Sequence, residues 1–187
     1  MNSADALKAL KEGNARFITG QPEKNTPLSS KERAAHAAGQ TPFAIVLSCA
    51  DSRVPVELIF DQNIGDIFVV RLAGNIASPE AIASIEFAVA NFGSRLIVVL
   101  GHSNCGAVKA TLAHLNEPLD LTPSLTTLVD TIAPAISKDD SLANAITTNA
   151  KSNAQALLKK SALLAGTEDL LVTSADYSLE TGEVAFH

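Results

Sequence analysis

The chain has 187 residues, 47% of them hydrophobic, which is ample for burying a core of its own and argues against disorder. Twenty acidic residues against fourteen basic ones leave a formal charge of −6, so no broad positive field exists to hold nucleic acid or an anionic membrane. Charged residues make up 18%, below the roughly 25% usual for soluble domains, so part of the surface is expected to lie under a subunit interface.

After Ser3 as N-cap, Leu7, Leu10, Phe17 and Ile18 recur at helical spacing between charged residues, predicting an amphipathic helix of about four turns. Its apolar face needs something to pack on. Gly20 to Ser30 reads as an extended connection, followed by an Ala-rich helix from Lys31 to Ala38, so that 1–38 forms a helical arm. Phe43–Leu47, Ile67–Val70 and Leu96–Leu100 are short unbroken apolar runs that suit strands buried on both faces of a parallel sheet. Between them, Val54–Phe60 can form a short helix, and Ser78-Pro79-Glu80 is a helix start whose run to Asn91 is stopped by Gly93. A further helix begins near Cys105, and a long amphipathic one is predicted from Asp139 to Leu164. Leu170–Thr173 and Val184–Phe186 read as a terminal strand and its hairpin-like return. This alternation predicts one α/β domain over 1–187 with a mainly parallel sheet flanked by helices. The longest apolar runs fall far short of the ~20 residues that span a bilayer, and 1–13 lacks a basic start followed by an apolar block, so a cytoplasmic protein is expected.

The two cysteines, Cys49 and Cys105, are too few for a disulfide scaffold. A buried cysteine taken alone is ordinarily core filler. These two both follow predicted strands, each beside other ligand-type residues: Cys49-Ala-Asp51-Ser-Arg53 and His102-Ser-Asn-Cys105-Gly106. Reactive groups gather at the carboxyl edge of open α/β sheets. Cys49, His102 and Cys105 are enough donors for zinc with one tetrahedral position left over, which Asp51 can reach unless it pairs with Arg53. A cysteine-phosphatase loop is a poorer fit, because only three residues separate Cys49 from Arg53.

These two motifs, with Gly65-Asp66-Ile-Phe-Val-Val-Arg71-Leu-Ala-Gly74-Asn75 between them, resemble the zinc signature and second strand of the β-class carbonic anhydrases. The likeness runs from Leu10-Lys-Glu-Gly-Asn14-Ala-Arg16-Phe17 to Tyr177-Ser-Leu-Glu-Thr-Gly182. It implies reversible hydration of carbon dioxide to bicarbonate and a proton by a zinc-bound hydroxide, with one Zn2+ per subunit. By the same resemblance Cys49, His102 and Cys105 are the zinc ligands, and Asp51 with Arg53 forms the catalytic dyad. Gln40, nine residues before Cys49, falls where many members place a substrate-binding glutamine. The Gly106 N–H and an apolar wall including Phe87 are further candidates for contact with substrate. Zinc lowers the pKa of its water to roughly 7 in well-known sites; two thiolates make the ion a weaker Lewis acid, so nearby groups are expected to compensate. The family assembles as dimers or higher multiples, often with pocket residues crossing the interface, so a homodimer or homotetramer is expected. Two other readings stand beside it: a carbonyl sulfide or carbon disulfide hydrolase on the same scaffold, and a non-catalytic assembly protein stapled by zinc.

Overall fold

The computed structural model describes residues 1–24 and 29–187, the side chains of 32 and 35 excepted. Part of the expected extended connection, 25–28, lies outside the described residues.

The apolar runs make the sheet. Ala44–Ser48 (β1) and Leu96–His102 (β3) are buried along their whole length, Ile67–Arg71 (β2) is mostly half-buried, and Leu171–Tyr177 (β4) and Val184–Phe186 (β5) complete five strands. Their order is β2-β1-β3-β4-β5, with the first four parallel and β5 antiparallel to β4. The order explains the burial: β1 and β3 are central, whereas β2 is an edge. β4 runs to Tyr177, beyond the predicted Thr173, because it pairs with β3 from Leu96↔Leu171 to His102↔Tyr177 despite its polar residues.

Ser3–Ile18 (α1) is capped one residue earlier than expected. Asn2 Oδ1, not Ser3, accepts the Asp5 N–H at 2.8 Å. Ala6 and Leu10 pack into the core beneath β1 and β3, so the amphipathic face of α1 is filled by its own chain. Asn14 ties both ends of the chain to this helix: its Nδ2 donates to Ile59 O at 3.1 Å and Gly182 O at 2.8 Å, and its Oδ1 accepts from Val184 N at 2.9 Å. Gly13 lies so close to the next layer that an added Cβ would sit 1.8 Å from Phe60 O, a backbone atom. Gly13→Ala is therefore expected to destabilise the fold by roughly 3 kcal/mol, read as a lowered denaturant midpoint; an unchanged midpoint would mean that α1 is not seated as described.

Ser30–His36 (α2) and the single-turn Val56–Ile59 (α3) follow. Pro79–Phe92 (α4) has the expected Ser78 cap, whose Oγ accepts from Ala81 N at 3.3 Å, and the Gly93 stop at φ 69. Gly106–Asn116 (α5) is followed by Pro123–Ile132 (α6), which the sequence reading left unassigned although Thr122-Pro123 repeats the cap-and-proline signal. The long predicted helix is two, Leu142–Lys160 (α7) and Ala162–Ala165 (α8). Ser161 interrupts it by accepting Leu164 N at 3.1 Å and donating to Glu86 Oε1 at 2.5 Å. Among the described residues no helix is long and apolar enough to cross a membrane.

Candidate active site

Parallel neighbours β1 and β3 end side by side, with Ser48 opposite Leu100. Cys49 follows β1 directly, and His102 ends β3. Asn104 then takes the left-handed conformation, φ 57, which Asn tolerates better than most residues, and the chain doubles back to place Cys105 at the N-cap of α5. As a result Cys49 Sγ, Cys105 Sγ and a ring nitrogen of His102 lie within 4.8 Å of one another, all three residues buried.

The protons on this trio follow from its neighbours. His102 Nδ1 lies 2.9 Å from Ser103 O, and a carbonyl only accepts, so Nδ1 carries the hydrogen and Nε2 keeps its lone pair. Nε2 is buried and has no hydrogen-bond partner among the described residues. The Cys49 thiol is pushed down, chiefly by a hydrogen bond from Cys105 and further by the Asp51 and Gly74 N–H groups, against the opposing cost of burial. That same bond, with burial, pushes the Cys105 thiol up, while the Val108 and Ala107 N–H groups at the start of α5 oppose it. Two neighbouring sulfurs beside a buried imidazole nitrogen that has no hydrogen-bond partner among the described residues are a donor set that fits zinc.

Asp51 stands next to the trio. Its Oδ2 is 3.9 Å from His102 Nε2, but both its oxygens are held by Arg53: Nε to Oδ1 at 2.9 Å and Nη2 to Oδ2 at 2.7 Å, with the Arg53 N–H on Oδ1 at 3.0 Å. This bidentate grip holds the Asp51 carboxyl below the usual carboxylate range and pushes Arg53 up. Arg71, at the end of β2, fixes the backbone beneath: Nε donates to Cys49 O at 3.0 Å and Nη2 to Asp51 O at 2.5 Å.

The substrate candidates are placed differently. Gly106 opens α5 beside the trio and is exposed, yet the N–H groups acting on the Cys105 sulfur are those of Ala107 and Val108. Gln40 precedes β1, at the amino edge of the sheet, with its Cβ near Gly65 just before β2. One whole strand, about 13 Å at ~3.3 Å per residue, separates that edge from Cys49. Phe87, 53% exposed, is on the same side as Gln40: it stacks with Phe68 at 6.4 Å and Phe92 at 5.7 Å, and Phe92 lines a cavity of about 470 Å³ with His36, Gln40 and Ile64. Within one chain, Gln40 and Phe87 are thus together but apart from the cysteines.

A family model described as carbonic anhydrase matches residues 44–184, a span that takes in Cys49, His102 and Cys105. The chain belongs to the β-carbonic anhydrase family. It is similar to carbonic anhydrase 2 of Mycobacterium tuberculosis, 47% identical over 135 residues that make up 72% of this chain and 65% of that protein. It is also similar to a carbonic anhydrase of Mycolicibacterium smegmatis, 46% identical over the same shares of both chains. The chain therefore spans 65% of the length of these curated relatives. Among solved structures, the β-carbonic anhydrase CcaA matches 98% of this chain with a TM-score of 0.74 at 26% identity, covering 88% of CcaA. A metal-free carbon disulfide hydrolase shares the fold at TM-score 0.54 and 19% identity, over 97% of this chain and 88% of that one, a likeness of architecture alone.

Beyond the family signature, the β-carbonic anhydrase scaffold here contains polar residues that the sequence reading passed over. In the sequence Arg71 belongs to the matching segment; its clamp on the Cys49 and Asp51 carbonyls depends on the fold. Asn149 and Asn153 of α7, four apart and both buried, were hidden in a stripe counted by its apolar members Ile146, Ala150, Ala154 and Leu157. Two amides on the buried face of an otherwise apolar stripe were the available signal, because a buried amide must find partners.

Proposed function

We propose that this protein hydrates carbon dioxide reversibly to bicarbonate and a proton, with Cys49, His102 and Cys105 holding one Zn2+ per chain. The observation that carries the reading is the buried trio with an unpartnered imidazole nitrogen, flanked by a carboxylate that an arginine holds ready. When bound there, zinc supplies a Lewis acid that makes water a nucleophile at neutral pH. Asp51 stays ionised, so its free lone pairs can only accept; it takes a hydrogen bond from the attacking water and orients the remaining lone pair towards the carbon of the substrate. Arg53 fixes the carboxylate plane and keeps Asp51 from closing the fourth metal position. Arg71 holds the Cys49–Asp51 backbone, so that ligand and acceptor keep their spacing. That Asp51 is turned to Arg53 favours an enzyme over a zinc staple with a permanent fourth ligand.

Gln40 and Phe87 enter the reading through a second copy. β2 is an edge, and beside it Phe87, Ile64, Phe68 and Phe92 leave apolar surface exposed or half-exposed. A two-fold axis at this edge, perpendicular to β2, would bring the amino end of one copy's β2 beside the carboxyl end of the other's, which is the displacement Gln40 needs to meet a cysteine trio. Self-association also accords with the resemblance to Sordaria macrospora β-carbonic anhydrases, described as tetrameric, at 26% identity and TM-score 0.64. The low charge content and reduced thiols suit a soluble assembly in a reducing compartment such as the cytoplasm. Sedimentation at working concentration is expected to show at least a dimer; an active monomer would contradict the assignment of Gln40. The reaction is tested by stopped-flow hydration of carbon dioxide, with carbonyl sulfide and carbon disulfide turned over side by side. Carbon dioxide is expected to be strongly preferred, and preference for either sulfur compound would overturn the substrate assignment.

A further inference from the structure

The turn after β2 is bonded on both sides. Gly74 donates its N–H to Cys49 Sγ at 3.4 Å, and its carbonyl accepts from Asn149 Nδ2 at 2.9 Å. Asn149 Oδ1 in turn accepts from Asn153 Nδ2 at 3.0 Å, and that nitrogen also donates to Asn149 O at 2.9 Å. Asn153 Oδ1 accepts from the Ala77 N–H at 2.7 Å. Each end of this chain of bonds is backbone: the Ala77 N–H can only donate and the Gly74 carbonyl can only accept. Both amides therefore have one allowed orientation, and the Asn149 NH2 must face Gly74.

Gly74 is the residue of this turn that most needs holding. Its φ is +70, and a Cβ there would stand 2.7 Å from Ile132 Cδ1 and 3.2 Å from Ala107 Cβ, so no larger residue fits and the peptide has a glycine's freedom to turn. The Gly74–Asn75 peptide is held on one side by the Asn75 N–H on Leu72 O at 2.9 Å and on the other by the Asn149 amide on the Gly74 carbonyl, and losing the second slackens the aim of the Gly74 N–H at the sulfur. An N–H donated to a ligating sulfur draws charge from it, and two thiolates otherwise leave the ion electron-rich. Part of the compensation expected of Asp51 is thus available from the opposite side of the site.

We propose that Asn149, oriented by Asn153, is a positioning residue for the metal ligand Cys49, acting through the Gly74 peptide. The inference rests on the proposed zinc site. It is tested on the purified protein by competing bound zinc against a chelator and by recording the sulfur-to-metal charge-transfer band after Co2+ replaces Zn2+. Asn149→Ala is expected to weaken zinc binding by roughly 10- to 100-fold and to move the cobalt band to longer wavelength, because a sulfur that has lost its N–H donor gives up charge more easily. Asn153→Ala, which leaves the Asn149 donor in place but unoriented, is expected to shift both in the same direction by less. Leu157→Ala, on the same helix and fully buried, loses core packing without touching the relay; it is expected to lower the melting temperature and leave zinc affinity and the band unchanged. An Asn149→Ala protein that matches wild type in affinity and band, or a Leu157→Ala protein that loses as much affinity, overturns the relay alone. A wild type that takes up neither zinc nor cobalt overturns the zinc site itself, and the relay with it.

Discussion

Purified without added metal, the protein is expected to carry close to one zinc per chain, and Cys105→Ser to carry almost none and to lose hydration activity on the order of 10³-fold or more. Serine nearly preserves the shape of the side chain, so the prediction turns on chemistry. A hydroxyl does not ionise at neutral pH and is a harder, poorer ligand for zinc than a thiolate. In the trio the hydrogen bond between the two sulfurs, with burial, pushes one thiol down and the other up. Metal binding must displace whatever thiol proton the pair holds, so zinc uptake is expected to release acid and to weaken as pH falls. Zinc content by elemental analysis, with turnover on the same sample, decides the matter. A Cys105→Ser protein with full zinc and wild-type turnover would remove Cys105 from the site.

Arg53→Ala is expected to produce the opposite combination, a metal-loaded protein with activity lowered roughly 10²- to 10³-fold. Arg53 is exposed and touches none of the three ligand atoms, so zinc should stay. What is lost is the grip on Asp51, whose carboxylate then turns to the fourth metal position. Asp51→Asn keeps the outline but removes the charge that accepts from the attacking water, and activity is expected to fall there too. The sign of the pH dependence follows from the pair. Because Arg53 holds the Asp51 carboxyl below the usual carboxylate range, Asp51 is ionised throughout the neutral region, and its contribution to stability is lost only as pH falls below that range. A rise of wild-type activity with pH near neutrality, at constant zinc content, is therefore not loss of a proton from Asp51 and is expected to reflect the water that attacks. Hydration rates across pH for wild type and both variants, with zinc measured on each, test the assignment. Wild-type turnover by fully loaded Arg53→Ala would show the ion pair to be structural only.

Local chemistry accounts for how much of this could be read beforehand. Runs such as Leu96–Leu100 are buried on both faces and carry their own signal, and a cysteine just past such a run can point only to the carboxyl edge. Asp51 and Arg53 lie two residues apart, so their pairing needs no tertiary information. Gln40 is close to Cys49 in sequence, but the intervening residues form an extended strand, so the same few residues that look like proximity are a spacer across the sheet. β4 outruns its sequence signal because Ser174 and Asp176 are unlike a buried strand; its length is set by pairing with β3. The break between α7 and α8 depends on Ser161 meeting Glu86, a contact 75 residues distant that no helical period encodes. Asn149 and Asn153 were missed because an apolar count treats a buried amide as a gap in the pattern.

The Asn14 clasp has a consequence for how the molecule is made. Its partners in the turn before β5 and in β5 are 168 and 170 positions further on, so α1 is joined to residues synthesised long after it. Contacts of such sequence separation form late, after the entropy of closing a very long loop has been overcome. Until then Ala6 and Leu10 can rest on β1 and β3, but the Asn14 amide has no Gly182 or Val184 to bind. During synthesis α1 is therefore a helix docked by its apolar side and unlatched by its polar one, and the arrival of β5 is the event that locks the amino-terminal segment onto the sheet.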